Sequence, residues 1–247
     1  MRPIVFTPLL KTSSLLLAVS VLAGCSTLSN DGAAGDVSKL TQPRTGFGVT
    51  GERNDSDAQA SSAQVSKLLS APLTPDSAVQ IALLNNRGLQ ASLAELGVSE
   101  ADFVQAGRIR NPGFSFSRMR AGDEVEIERS VMFDLIGLLT IPLRSTIESS
   151  RFEQAKLTAA SEAVRLASET RRSYFSAVAA AQTEKFLSQV VTSAEAGAQL
   201  AQEQAKVGNW SKLDRAREQA FYAEATTQYA RARHSATAAR EQLVRLL

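Results

Sequence analysis

Apolar residues change rhythm several times along the chain, and each rhythm predicts a different element. Residues 26–70 are rich in Ser, Gly, Asp and Ala and sustain no apolar period, so they read as a flexible tether. The character changes at Leu73-Thr74-Pro75-Asp76, where Thr74 can cap a helix that has Pro75 at its first position. Ala78, Ile81, Ala82, Leu89, Leu93, Leu96 and Val98 then recur at helical spacing and predict a helix over 75–108.

Asn111-Pro112-Gly113 breaks that helix, and Phe114-Ser115-Phe116-Ser117 alternates as a strand with two unlike faces must, predicting a strand over 113–120. Past a turn at Ala121-Gly122-Asp123-Glu124 a longer alternation predicts a second strand over 125–141. Val125, Ile127, Val131, Phe133, Leu135, Leu139 and Ile141 share one of its faces, while Glu126, Glu128, Ser130, Asp134 and Thr140 share the other. Two strands cannot enclose a core, so the pair is expected to join others, in a soluble sheet or a membrane barrel.

After Pro142 there is no further proline, and Gly197 and Gly208 are the only glycines. The spacing predicts one helix over 143–207, roughly 65 residues and about 95 Å long. Its stripe of Ala155, Ala159, Ala163, Leu166, Ala167, Phe175, Val178 and Ala181 is coiled-coil-like and dominated by alanine. Such a helix needs partners along its whole length. A tip over 207–213 reverses the chain, and a second alanine-rich helix over 213–247 returns antiparallel. The expected fold class is mainly α with a β-hairpin, the helices forming a long antiparallel coiled coil.

Composition sharpens this picture. The chain has 44% hydrophobic but only 6% aromatic residues, which suits helices packed closely through small side chains. Arg2 and Lys11 are the only charged residues before position 25, so removing that segment takes the formal charge from +2 to 2 − 2 = 0. No basic field for nucleic acid is left.

Residues 1–24 carry those two cations, a short apolar run from Ser14 to Leu22 and then small residues, the order of a secretory signal too short to span a bilayer. Leu22-Ala23-Gly24-Cys25 resembles the lipobox of bacterial lipoproteins, which implies cleavage before Cys25 and a covalent lipid on its thiol, with residues 25–72 as a lipidated tether. Ser26 follows where the resemblance would place Asp for retention at the inner membrane, so the outer membrane is favoured. Cys25 is the sole cysteine, and its acylation leaves no thiol for a disulfide, a metal or a nucleophile.

Over residues 73–247 the order of parts resembles the TolC-like outer-membrane efflux family: helix, strand pair, very long helix, tight tip, returning helix. Asn85-Asn86 is similar to the family's Asn-Asn-Pro, with Arg87 in place of proline. Asn111-Pro112 resembles its Asn-Pro before the first strand, and Tyr174 falls where the long helix commonly carries a tyrosine. Gly208-Asn209-Trp210-Ser211-Lys212-Leu213-Asp214 resembles its Gly-x-x-Ser-x-Leu-Asp tip.

The resemblance implies a homotrimer whose strands form a transmembrane β-barrel and whose helices form a periplasmic tunnel. It implies that residues 208–214 contact a periplasmic adaptor protein, which links the duct to an inner-membrane efflux pump. With barrel and lipoprotein signal together, Phe114, Phe116, Val131, Phe133, Leu135 and Leu139 are expected to face outer-membrane lipid. Family members carry two tandem copies of this unit where the present sequence has one, so a fragment is expected, a truncated gene or six copies in place of three being the alternatives, and the homotrimer requires the second copy.

No enzyme chemistry emerges. His234, the sole histidine, stands among Arg231, Arg233 and Ala236 on the last helix, a solvated position. Glu124, Glu126 and Glu128 alternate along a strand and fit a wet barrel face better than an acid cluster. There is no phosphate-cradling glycine loop, no Ser/His/Asp order and no zinc spacing, so no catalytic residue, metal or cofactor is expected beyond the lipid. The rival to a passive duct is a non-conducting coiled-coil lipoprotein that tethers or scaffolds the envelope, which leaves the strand pair unexplained.

Overall fold

The computed structural model describes residues 28–247 except Asp123; the signal segment 1–24 and Cys25 lie outside the described residues. The elements run α1 (Ala34–Thr45), α2 (Asp55–Leu69), α3 (Pro75–Asn85), α4 (Arg87–Ala106), β1 (Gly113–Ala121), β2 (Glu124–Met132), α5 (Leu135–Lys206) and α6 (Lys212–Leu246). They divide into two compact units. One holds Leu93–Leu157 with the described residues up to Ala33, and the other Ala34–Ser92 with Thr158–Leu247.

The tether expected over 25–72 is replaced by ordered structure from Leu28 on. Two helices lie in it, with Val37, Thr41, Thr45 and Val49 buried. What orders them has no local period. The Gln90 side chain donates to the carbonyls of Thr50 and Leu84 at 3.0 and 3.1 Å and accepts from the Glu52 N–H at 2.9 Å. In the first unit the buried Glu100 carboxylate accepts from the Ser29 N–H at 2.7 Å and the Ser29 hydroxyl at 2.9 Å. These bonds satisfy loop backbone that would otherwise need water.

The first helix forms where its pattern begins. Thr74 and Ser77 close a capping box, with Pro75 in the first turn. The expected span 75–108 is divided at Asn86, whose extended backbone ends α3 and whose side chain accepts from the Leu89 N–H at 3.1 Å, capping α4. Asn85 and Asn86 also donate to the carbonyls of Leu247 and Leu246 at 2.7 and 3.1 Å, satisfying acceptors at the end of α6. Tyr174 on α5 donates to the Leu73 carbonyl at 2.9 Å, and Arg171 pairs with Asp76 at the same distance.

The long helix α5 has 72 residues, about 108 Å at 1.5 Å per residue, and starts earlier than expected. The strand forecast over 125–141 ends at Met132, and Pro142 lies inside the helix instead of before it. The cause is local: the Asp134 carboxylate accepts from the Gly137 N–H at 2.7 Å and its carbonyl from the Leu138 N–H at 3.1 Å, which nucleates a helix. Leu135, Ile136, Leu138 and Leu139 then follow with good helix propensity.

Within the second unit the buried residues of α5 are nearly all small. Ala159, Ala163, Leu166, Thr170 and Ser173 step by four and three residues, as do Ala194, Ala198 and Ala201. On α6 the buried set is Ala225, Ala232, Ala236 and Leu243. This is a heptad seam made with alanine, which lets helix backbones approach closely. Proximity of the two helices shows at Gly197, where a Cβ would lie 3.3 Å from the Glu218 carboxylate on α6.

Candidate functional site

Two features present chemistry to the outside. The first is the β-hairpin. β1 and β2 pair antiparallel, with Phe114 opposite Val131, Phe116 opposite Arg129, Arg118 opposite Ile127 and Arg120 opposite Val125. Cross-strand partners share a face, so Phe114, Phe116, Val125, Ile127 and Val131 lie together with Arg118, Arg120 and Arg129. The opposite face holds Ser115, Ser117, Met119, Glu124, Glu126, Glu128, Ser130 and Met132, and the Ser115 and Ser130 hydroxyls meet there at 2.7 Å. Acidic groups are thus confined to one side and basic groups to the other.

Both faces are open. Phe114 is 72% exposed, Phe116 57% and Val131 58%, values that no soluble core would leave. Among the described residues the sheet has these two strands only, so each also keeps an edge of unpaired backbone groups.

Three residues expected on lipid-facing strands lie elsewhere. Phe133 is in the connector after β2, and Leu135 and Leu139 belong to the first turns of α5. They are exposed all the same, Leu139 to 81%. Phe114, Phe116 and Val131 are on the strands as expected, and on one face. The arginines on that face escaped the sequence reading, although the same alternation places them.

The second feature is the tip between α5 and α6. Gly208 adopts φ +81°, a left-handed conformation that costs an L-residue strain. The Asn209 N–H donates to the Gln204 carbonyl at 2.9 Å and the Gly208 N–H to the Ala205 carbonyl at 3.3 Å, the crossed pair that closes a Schellman C-cap. Ser211 at once caps α6 by accepting from the Asp214 N–H at 3.1 Å, and its hydroxyl donates to the Asp214 carboxylate at 2.7 Å. Gly208, Ser211 and Asp214 therefore build the turn. Asn209, Trp210, Lys212 and Leu213 are left exposed on it, Trp210 at 38%.

No helix among the described residues is long and apolar enough to cross a membrane. No group of His, Cys, Asp or Glu among them could hold a metal ion.

Solved structures share this architecture. A membrane protein from Pseudomonas aeruginosa aligns with a TM-score of 0.56 at 19% identity, covering 74% of this chain and 44% of its own. CusC, whose crystal structures concern conformational changes accompanying folding and transmembrane channel formation, aligns with a TM-score of 0.58 at 17% identity, covering 74% of this chain and 43% of its own. The Campylobacter jejuni CmeC outer membrane channel aligns over 90% of this chain and 43% of its own at 16% identity, but its TM-score of 0.41 is too low to bear on the fold. No protein-family model matches the chain, and no curated protein does. The chain spans less than half the length of these structures, and with the first two it shares a fold of helix, strand pair, long helix, tip and returning helix.

Proposed function

We propose that the chain is part of the outer-membrane channel of a tripartite efflux system. It is a passive exit duct for solutes, fed by an inner-membrane pump through a periplasmic adaptor, and not an enzyme. One observation carries the reading: a strand pair with one exposed face of Phe114, Phe116, Val125, Ile127 and Val131 flanked by arginines whose long stems can carry their charge to the membrane surface, an exposed acidic face, and two open edges among the described residues. In water this arrangement wastes apolar burial and invites aggregation. In a closed barrel the edges pair, Phe114, Phe116 and Val131 meet lipid, and Ser115, Ser117, Glu126 and Glu128 line an aqueous lumen.

A lumen with Glu124, Glu126 and Glu128 on its wall favours cations, so the pore is cation-preferring. The tip docks the adaptor through Trp210 and Leu213, apolar side chains held out by a turn that the backbone, Ser211 and Asp214 close without them. Cys25 carries the lipid anchor that holds the protein at the outer membrane. These assignments extend the fold likeness to partners and location, where the resemblance of the tip and of the lipobox supports them.

Conductance in a planar bilayer tests the reading. Protein extracted from outer membranes should give stable ohmic steps with cation selectivity, and Glu126→Gln with Glu128→Gln should reduce that selectivity while keeping the steps. Folded protein that binds membranes without conducting would establish a tether or scaffold in place of a duct.

A further inference from the structure

We propose that an arginine-lined cavity beside the base of the β-hairpin binds the headgroup phosphate of an anionic phospholipid, an inference that rests on the channel reading for its place at a membrane boundary. The cavity, about 540 Å³, lies within one unit, between the chain leaving α4 and the first turns of α5. That volume is within the ~300–1,000 Å³ usual for ligand pockets. Leu28, Val104 and Ile109 give it an apolar wall, and Arg108, Arg110 and Arg144 give it positive charge. Its lining among the described residues includes no carboxylate.

Arg144 is the anchor of the argument. Its guanidinium is half-buried, Nη2 donating to the Gly137 carbonyl at 3.0 Å, while Nε is buried with no hydrogen-bond partner. No carboxylate among the described residues pairs with it. A charge withdrawn from water is costly until an anion answers it. Arg110 is only loosely answered: it is 3.6 Å from Asp134, whose other oxygen already accepts from the Gly137 N–H. Arginine forks match phosphate oxygens in pairs, which makes a phosphate the fitting counterion.

The surroundings favour a lipid phosphate over a free one. Leu139 and Leu143 stand 81% and 64% exposed on the same turns of α5 as Arg144, an apolar track that acyl chains would cover. Leu28 in the cavity wall is three residues from Cys25, so the proposed anchor leads to the same site. A headgroup held there fixes where the membrane surface meets the barrel.

Titration of the full chain in detergent with short-chain dihexanoyl phosphatidylglycerol tests the inference, with inorganic phosphate as the second probe. One lipid per chain should bind, inorganic phosphate should bind at least tenfold more weakly, and Arg144→Gln should weaken lipid binding by about tenfold. Arg144→Lys, which keeps the charge but loses the paired bonds, should bind between wild type and Arg144→Gln, and circular dichroism should show both variants folded. Equal binding of inorganic phosphate would mean a free-anion site and overturn the lipid assignment. No lipid binding, or undiminished binding by a folded Arg144→Gln, would overturn the site. Because conductance is measured separately, a conducting pore that fails to bind lipid refutes this inference and leaves the channel reading intact.

Discussion

The chain contains two hairpins that solve the same problem in opposite ways. Between α5 and α6 the apolar seam is closed from within: Ala201 is fully buried, and cap bonds satisfy the turn's backbone. Between β1 and β2 nothing is closed, since aromatic and aliphatic side chains are exposed and both edges lack partners among the described residues. Small residues at heptad spacing need only a second helix, which the same chain supplies. Alternating large residues need a surrounding sheet and an apolar solvent, which this chain alone does not supply. The seam of the helical hairpin is therefore closed by the chain itself, whereas the β-hairpin leaves both its faces open.

The sharpest way to break this contrast is to charge the open face. Phe116→Lys removes an apolar ring from the face expected to meet lipid and sets a second cation beside Arg129, which should oppose membrane insertion by about 2–4 kcal/mol near the bilayer middle. The helical melt in detergent should stay unchanged. Ser117→Lys, one residue along on the wet face, should insert normally. Equal insertion of the two variants in a flotation assay would mean that the faces are not separated between lipid and water.

Overfilling the closed seam comes next. Ala201→Leu forces methyl groups between packed helices and should lower stability by about 1–3 kcal/mol in denaturant unfolding. Leaving the hairpin unchanged, it should spare insertion of any protein that folds. At the tip, Gly208→Ala keeps the volume small but imposes a left-handed conformation on an L-residue, for about 1–2 kcal/mol. Asn86→Ala removes the α4 cap and one bond to the end of α6, and should cost about 1 kcal/mol. A thermal shift for Asn86→Ala larger than that of Ala201→Leu would show that the break between α3 and α4 matters more than the seam.

The same contrast explains what could be read from the sequence. The long helices and the tip were legible because proline and glycine are absent over scores of residues and then Gly208 and Ser211 appear together, each with a local job. Phe114 and Phe116 were legible for the same reason, alternation being a property of neighbours. The end of β2 was not, because counting every second residue from Val125 carries on through Leu135 and Leu139. Ile136 and Leu138 between them make the segment apolar all round, and the Asp134 cap decides for helix. Order in residues 28–69 was invisible, since Gln90 and Glu100 act from tens of residues away. The arginine cavity is likewise assembled from segments remote in sequence, Leu28, Arg108 and Arg144.

The smallest effect on the fold belongs to the residue with the largest expected effect on a partner. Trp210 is 38% exposed on a turn that Gly208, Gln204 and Ser211 close without it. Trp210→Ala should therefore change unfolding by less than about 0.5 kcal/mol, as surface substitutions generally do. Adaptor binding should fall much further, by about 2 kcal/mol if Trp210 is an anchor seated in an adaptor groove. Surface plasmon resonance against the adaptor and a thermal melt of the same sample separate the two quantities. A large drop in melting temperature would make Trp210 a cover for the open end of the helical hairpin, and the tip would then be as finished as the seam beneath it. Unchanged melting with lost binding would make the tip, like the β-hairpin, a surface completed by a neighbour.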